Sequence, residues 1–181
     1  MSSAHSAGRP FSLSIRDVAR RAGDVHAAMM RLLPELWGLS EDELLLRGEA
    51  DLGKLRDRER LTDGELEQLL EILRLIRTEA SPRDKSESID AVRRQIEANA
   101  GSPVALTIAA IAVDSSRTAA ERAAGVSAHL VAASEGAVVA ADVVGGIGGA
   151  FAGDALCGAL CAVMGGAAGA AGLSILAQEH L

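Results

Sequence analysis

Through the first hundred positions apolar residues return at steps of three and four; beyond them they run almost without interruption. Ile15, Val18, Ala22, Val25, Met29, Leu32 and Leu36 trace a narrow seam. It predicts a helix opened by Ser14 with Asp17 and bounded by Pro34 and Gly38. Ser40 with Glu43 predicts a second helix through Leu44, Leu45 and Leu46, continuing past Gly48 to Leu52 and Leu55. Thr62 with Glu65 predicts a third, whose Leu66, Leu69, Leu70, Leu73 and Ile76 share one face, and Ser81-Pro82 opens a fourth carrying Ile89, Val92 and Ile96. Ser102 is placed as N-cap and Pro103 as first helical residue of a fifth. That helix is almost wholly apolar over residues 104–113 and polar over 114–122, and Gly125 ends it. Period-two alternation is absent. The expected fold class is all-α: a small amphipathic helical bundle followed by an Ala/Gly-rich helical hairpin region.

Charge sharpens the division. Residues 1–100 carry 16 of the 18 basic side chains and 19 of the 25 acidic ones. Beyond them stand Arg117, Arg122 and six acids, and 37 of the last 81 residues are Ala or Gly. The expected organisation is a disordered polar tail over 1–10, a charged bundle over 11–100 and a hydrophobic helical region over 101–181. The tail has no apolar stretch following a basic one, so no secretory signal is expected, which places the protein in the cytoplasm or at a membrane surface.

Composition removes several function classes. Two Phe, one Trp and no Tyr leave little material for an all-β core or for base-stacking platforms. A net charge of −7 disfavours non-specific binding to nucleic acid, which is not an expected partner. Cys157 and Cys161, four apart on one expected helix, read as buried free thiols; two ligands make half a zinc site, so neither a metal nor a cofactor is expected. His5, His26, His129 and His180 are scattered and no nucleophile accompanies them, so no catalysis is expected. Ser115 and Ser116 beside Asp114 read as a polar face or a helix interruption.

The hydrophobic region carries the functional reading. Residues 155–177 are 23 positions without charge, about 35 Å as a helix, which meets the length test for a membrane span. Eight Ala and five Gly against six Leu, Ile and Val leave its insertion energy near zero. Residues 136–153 form a second stretch interrupted by Asp142, and Gly153-Asp154 is the expected turn between the two. Gly145, Gly149 and Gly153 form a double GxxxG, and Gly165 with Gly169 repeats it; Cys157 and Cys161 extend the same row. Small residues at this spacing let helix backbones approach closely. Glu135, Asp142 and Asp154 would oppose insertion while ionised, because a carboxylate at a helix centre costs about 2.5–3.5 kcal/mol in a bilayer.

The run VVGGIGGAFAGDALCGALCAVMGGAAGAAG, within residues 136–177, resembles the glycine-zipper segments of class II bacteriocin-like peptides and other small membrane-active proteins. A helical bundle around an Ala/Gly-rich hairpin is also similar to colicin-type pore-forming domains. These resemblances imply a membrane-associating, self-assembling effector or pore-type protein, with membrane lipid or further copies of the chain meeting the C-terminal helices as a homo-oligomer. Gly145, Gly149, Gly153, Gly165 and Gly169 would make the helix contacts, Glu135, Asp142 and Asp154 would control insertion, and the N-terminal bundle would be free to meet a protein partner. The alternative is a soluble adaptor or structural subunit that uses the small-residue helices as a packing surface. A third reading comes from SIRDVARRAGDVHAAMMRLL at 14–33, which resembles the opening helix-turn-helix of lac-repressor-type regulators. It departs from that pattern at Ala27, Ala28, Met29 and Met30, where a recognition helix needs donors for bases and phosphates.

Overall fold

Ser40 caps the first described helix as the sequence pattern expects. Its hydroxyl accepts the Glu43 N–H at 3.4 Å, and the Glu43 carboxylate accepts the Ser40 N–H at 2.8 Å, closing a capping box. The structure, a computed structural model, describes residues 39–125, 128–158 and 161–170. The first expected helix and the region similar to a helix-turn-helix lie outside them.

Helix α1 spans Glu41–Asp57, α2 Asp63–Arg77, α3 Pro82–Ala98, α4 Pro103–Gly125, α5 Ala128–Cys157 and α6 Cys161–Ala170. The protein is all-α, with no strand among the described residues. Thr62 and Glu65 close the capping box of α2, Ser81 caps α3 with Pro82 in its first turn, and the Ser102 hydroxyl accepts the Ala105 N–H at 3.2 Å to start α4. Helices α1 and α3 end in Schellman motifs. Arg60 N–H donates to the Leu55 carbonyl and Gly101 N–H to the Ile96 carbonyl, both at 2.9 Å. The left-handed residues in these motifs are Glu59, at φ 58°, and Ala100, at φ 53°.

Leu45, Leu52 and Leu55 of α1, Leu69, Ile72, Leu73 and Ile76 of α2, and Ile89, Val92 and Ile96 of α3 point inward and are buried. They meet Val104, Ile108, Ala109 and Ala112 of α4 and Val143, Val144, Ile147 and Ala150 of α5 in one continuous core that crosses position 100 and includes Ala162 of α6. Helix α5 runs through that core and packs against α1, α2 and α4. Its composition explains the position: a helix apolar around its circumference belongs inside, and small side chains let neighbours close on it from several sides. Gly48 illustrates the fit, since a methyl there would stand 3.1 Å from Val144 Cγ2.

Glu65 links two helix starts. Its carboxylate accepts the Thr62 N–H at 2.7 Å and also the Ser102 N–H at the head of α4. Burial pushes this carboxyl up, but the hydrogen bonds from Thr62 and Ser102 together outweigh it and hold the group below its ordinary value. A carboxyl lowered in the folded state takes up its proton first in the unfolded chain. Its stabilisation is therefore complete above the unfolded value of about 4.3 and is lost as pH falls through the folded value. Glu65→Gln is expected to lower stability at neutral pH and to flatten its decline below about pH 4.5, read from urea midpoints across an acid series.

Gly53 offers the opposite case. It lies inside α1 with nothing near the place a methyl would occupy. Gly53→Ala is expected to raise stability by about 0.5–1 kcal/mol through backbone entropy alone, seen as a higher urea midpoint at constant slope.

Candidate functional site: the α5–α6 hairpin and its clasp

The glycines face each other across a helical hairpin. A methyl on Gly169 would overlap the Gly145 carbonyl oxygen and lie 3.2 Å from the Gly149 Cα. One on Gly165 would overlap the Gly149 carbonyl oxygen and lie 3.3 Å from the Gly153 Cα, and one on Gly153 would overlap the Cys161 carbonyl oxygen. The pairs run 145 with 169, 149 with 165 and 153 with 161, so α5 and α6 are antiparallel and in backbone-to-backbone contact. Gly146 and Gly166 lie beside this seam. Gly146 stands against Ile111 of α4, and Gly166 against Thr107 of α4 and Ala150 of α5, so α6 also rests on α4.

The turn differs from expectation. Gly153 and Asp154 are both inside α5, and the chain reverses after Cys157 at Gly158, φ +78°. Gly158 N–H donates to the Asp154 carbonyl at 2.9 Å, a left-handed helix cap that favours glycine. Gly153 has to stay helical because the α6 backbone lies where its side chain would be. Residues 155–177 are consequently not one helix. Among the described residues the stretch long and apolar enough to cross a bilayer is instead Gly136–Ala155, within α5.

The cysteines differ too. Cys161 is disulfide-bonded, and the sequence holds one other cysteine, Cys157. Two free thiols on one helix face were expected. Instead one helix ends at Cys157 and the next begins at Cys161, on the two sides of the turn.

Two of the three carboxylates singled out in the sequence hold the hairpin to its surroundings. Asp142 Oδ2 accepts from Ser115 Oγ of α4 at 2.5 Å. Ser115 and Ser116 are buried, and Ser116 Oγ donates to the Val113 carbonyl at 3.0 Å, so this pair is an internal polar seam rather than an outer face. Asp154 is buried between two arginines from the α1–α2 connection. Arg60 Nε donates to its Oδ1, and Arg58 Nη1 stands 3.7 Å from its Oδ2. The Arg58 guanidinium also stacks 4.2 Å from the centre of the Phe151 ring, with Lys54 Nζ at 5.2 Å from the same ring. Glu135 is in α5, and its side chain lies outside the described residues.

Arg58, Arg60 and Phe151 were not singled out in the sequence. The two arginines belong to the basic alternation Lys54, Arg56, Arg58, Arg60, and both lie beyond the end of α1 at Asp57. Elsewhere, a half-open cavity of about 320 Å³ has an apolar floor of Ile76, Ile89 and Val139. Lys85 at its wall donates to the Ile76 carbonyl at 2.7 Å. Among the described residues no group of His, Cys, Asp and Glu side chains is placed to hold a metal. Among the described residues the hairpin is closed by backbone contact between α5 and α6, and its tip is held by the two arginines on Asp154. Comparison of the chain with protein-family models, curated proteins and solved structures finds no match.

Proposed function

We propose that this chain is a membrane-associating helical protein of the pore-type effector kind, which carries an apolar hairpin sheathed by charged amphipathic helices. The observation that carries the reading is the self-contained seam between α5 and α6. The two helices touch through their own backbones at Gly145, Gly149, Gly153, Gly165 and Gly169. Close backbone packing of this kind holds in lipid as well as in water, because it depends on van der Waals contact rather than on the exclusion of water. The sheath holds the hairpin by apolar contact, which lipid tails can replace, and by the anchors on Asp142 and Asp154. The hairpin can leave as a unit once those anchors open. Self-assembly between released hairpins would then use the faces the sheath covers, since the glycine rows are filled by each other.

The second reading, a soluble adaptor or structural subunit, is favoured by the 72% burial of the apolar window in Gly136–Ala155, the ordinary position of a core helix. Co-flotation with anionic vesicles and dye release at about pH 7 and about pH 5 separate the two. The membrane reading expects flotation with dye leakage under both conditions. Asp142→Asn should float more strongly at neutral pH, since an ionised carboxylate at a helix centre costs about 2.5–3.5 kcal/mol. Protein that stays monodisperse and in the aqueous fraction under both conditions would support the adaptor instead.

A further inference from the structure

The clasp at the hairpin tip has more donors than its anion can use. Arg58 and Arg60 both point at the Asp154 carboxylate, whose side chain is 4% exposed, while the arginines themselves are 40% and 38% exposed. A guanidinium carries five N–H donors and a carboxylate about four acceptor sites, so a pair of arginines on one carboxylate keeps donors facing water. The neighbouring basic side chains are otherwise engaged. Lys54 Nζ bonds Asp51 at 2.7 Å, and Arg56 stands 3.2 Å from Asp57 and 3.7 Å from Asp63. Glu59 separates the two arginines in sequence, and its left-handed backbone turns the chain so that both reach the tip. Phe151 under Arg58 fixes one guanidinium plane beside the end of an apolar hairpin.

We propose that Arg58 and Arg60 form a fork for the phosphate of anionic lipid headgroups, and that headgroup phosphate replaces the Asp154 carboxylate the fork holds in the closed protein. This rests on the membrane reading and names its trigger. Planar guanidinium forks match phosphate oxygens as they match carboxylate oxygens, so the arginines exchange one anion for another. Asp154, carried by α5, then loses its anchor at the moment the hairpin tip meets an anionic surface. Away from such a surface the clasp stays shut. No covalent bond is made or broken in the exchange.

Flotation of the full chain on vesicles of phosphatidylcholine alone, and of phosphatidylcholine with one third phosphatidylglycerol, tests the fork. Each basic side chain at an anionic surface is worth roughly fivefold in partition, so two give a preference of about 25-fold for the anionic vesicles, reduced by added salt. Arg58→Gln with Arg60→Gln should cut that preference to about twofold or less. Arg74→Gln with Arg83→Gln changes net charge equally at a distant exposed site and should leave the preference intact. Arg58→Lys with Arg60→Lys keeps charge and loses the planar fork. Its preference should fall between the two, and it serves if the glutamine pair fails to fold.

Millimolar inorganic phosphate at matched ionic strength should not suppress flotation. If it does, the fork takes free phosphate and the headgroup assignment is overturned. Equal flotation on both vesicles, or an unchanged preference in the glutamine pair, overturns the fork and leaves the membrane reading standing. No flotation on either composition, for any variant, removes the membrane reading and the fork together.

Discussion

Gly165→Ala and Gly169→Ala are each expected to destabilise the fold by about 3 kcal/mol, the upper part of the range for overpacking a closed contact. Each added methyl would overlap a carbonyl oxygen of the facing helix, at Gly149 and Gly145 respectively. A carbonyl fixed inside a helical hydrogen-bond ladder has no rotamer to adopt, so the two helices must separate along their length. Alanine's better helix propensity returns about 1 kcal/mol at most and does not change the sign. Natural domains are stable by about 5–15 kcal/mol, so the double substitution should consume much or all of that margin. Urea unfolding followed by circular dichroism checks this, with Gly53→Ala as the internal control in which the same chemical change raises the midpoint. If Gly169→Ala costs no more than about 0.5 kcal/mol, the helices do not meet through their backbones.

The second large effect is expected at the clasp. Arg60→Ala leaves the buried Asp154 carboxylate with Arg58 at 3.7 Å as its remaining ion-pair partner among the described residues. Stripping one partner from a fully buried ion pair costs about 3–5 kcal/mol. Here the arginines are half-exposed and water can approach from their side, so about 2 kcal/mol is expected. Asp154→Asn should cost less than Arg60→Ala, because it removes the buried charge instead of orphaning it. The double variant should lose less than the sum of the two, and that non-additivity is the signature of direct coupling. A strictly additive cycle would mean that Arg60 and Asp154 do not act on each other.

The helix starts were legible in the sequence because they are local. Ser40 with Glu43, Thr62 with Glu65, and Ser102 with Pro103 each announce a cap within four residues, and each is where a described helix begins. The inward faces of α1, α2 and α3 were legible for the same reason, through spacing. The turn was not: Gly153-Asp154 and Gly158 are both acceptable turn sequences. The choice between them is tertiary, set by the Cys161 carbonyl lying against Gly153 and by the left-handed backbone of Gly158. The clasp was illegible for a related reason. Arg60 and Asp154 are 94 residues apart, and neither belongs to a pattern that names the other. A separation of 27 residues hid the Ser115–Asp142 bond in the same way, where a pair read as a polar face turned out to line the interior. Small-residue spacing marked a surface able to pack closely; that the matching surface is the chain's own next helix is visible only once the hairpin folds back.

The central claim, that the α5–α6 hairpin enters lipid, is tested most directly by a depth measurement on the full chain. Ala168 is exposed on α6, so Ala168→Cys, with the native cysteines left oxidised, accepts a single environment-sensitive fluorophore away from the glycine seam. With anionic vesicles the claim predicts quenching by nitroxides placed on the acyl chains, together with protection from aqueous iodide. A probe that stays open to iodide and unaffected by the acyl-chain nitroxides, as it is without vesicles, would contradict the claim and leave the hairpin as the core of a soluble bundle.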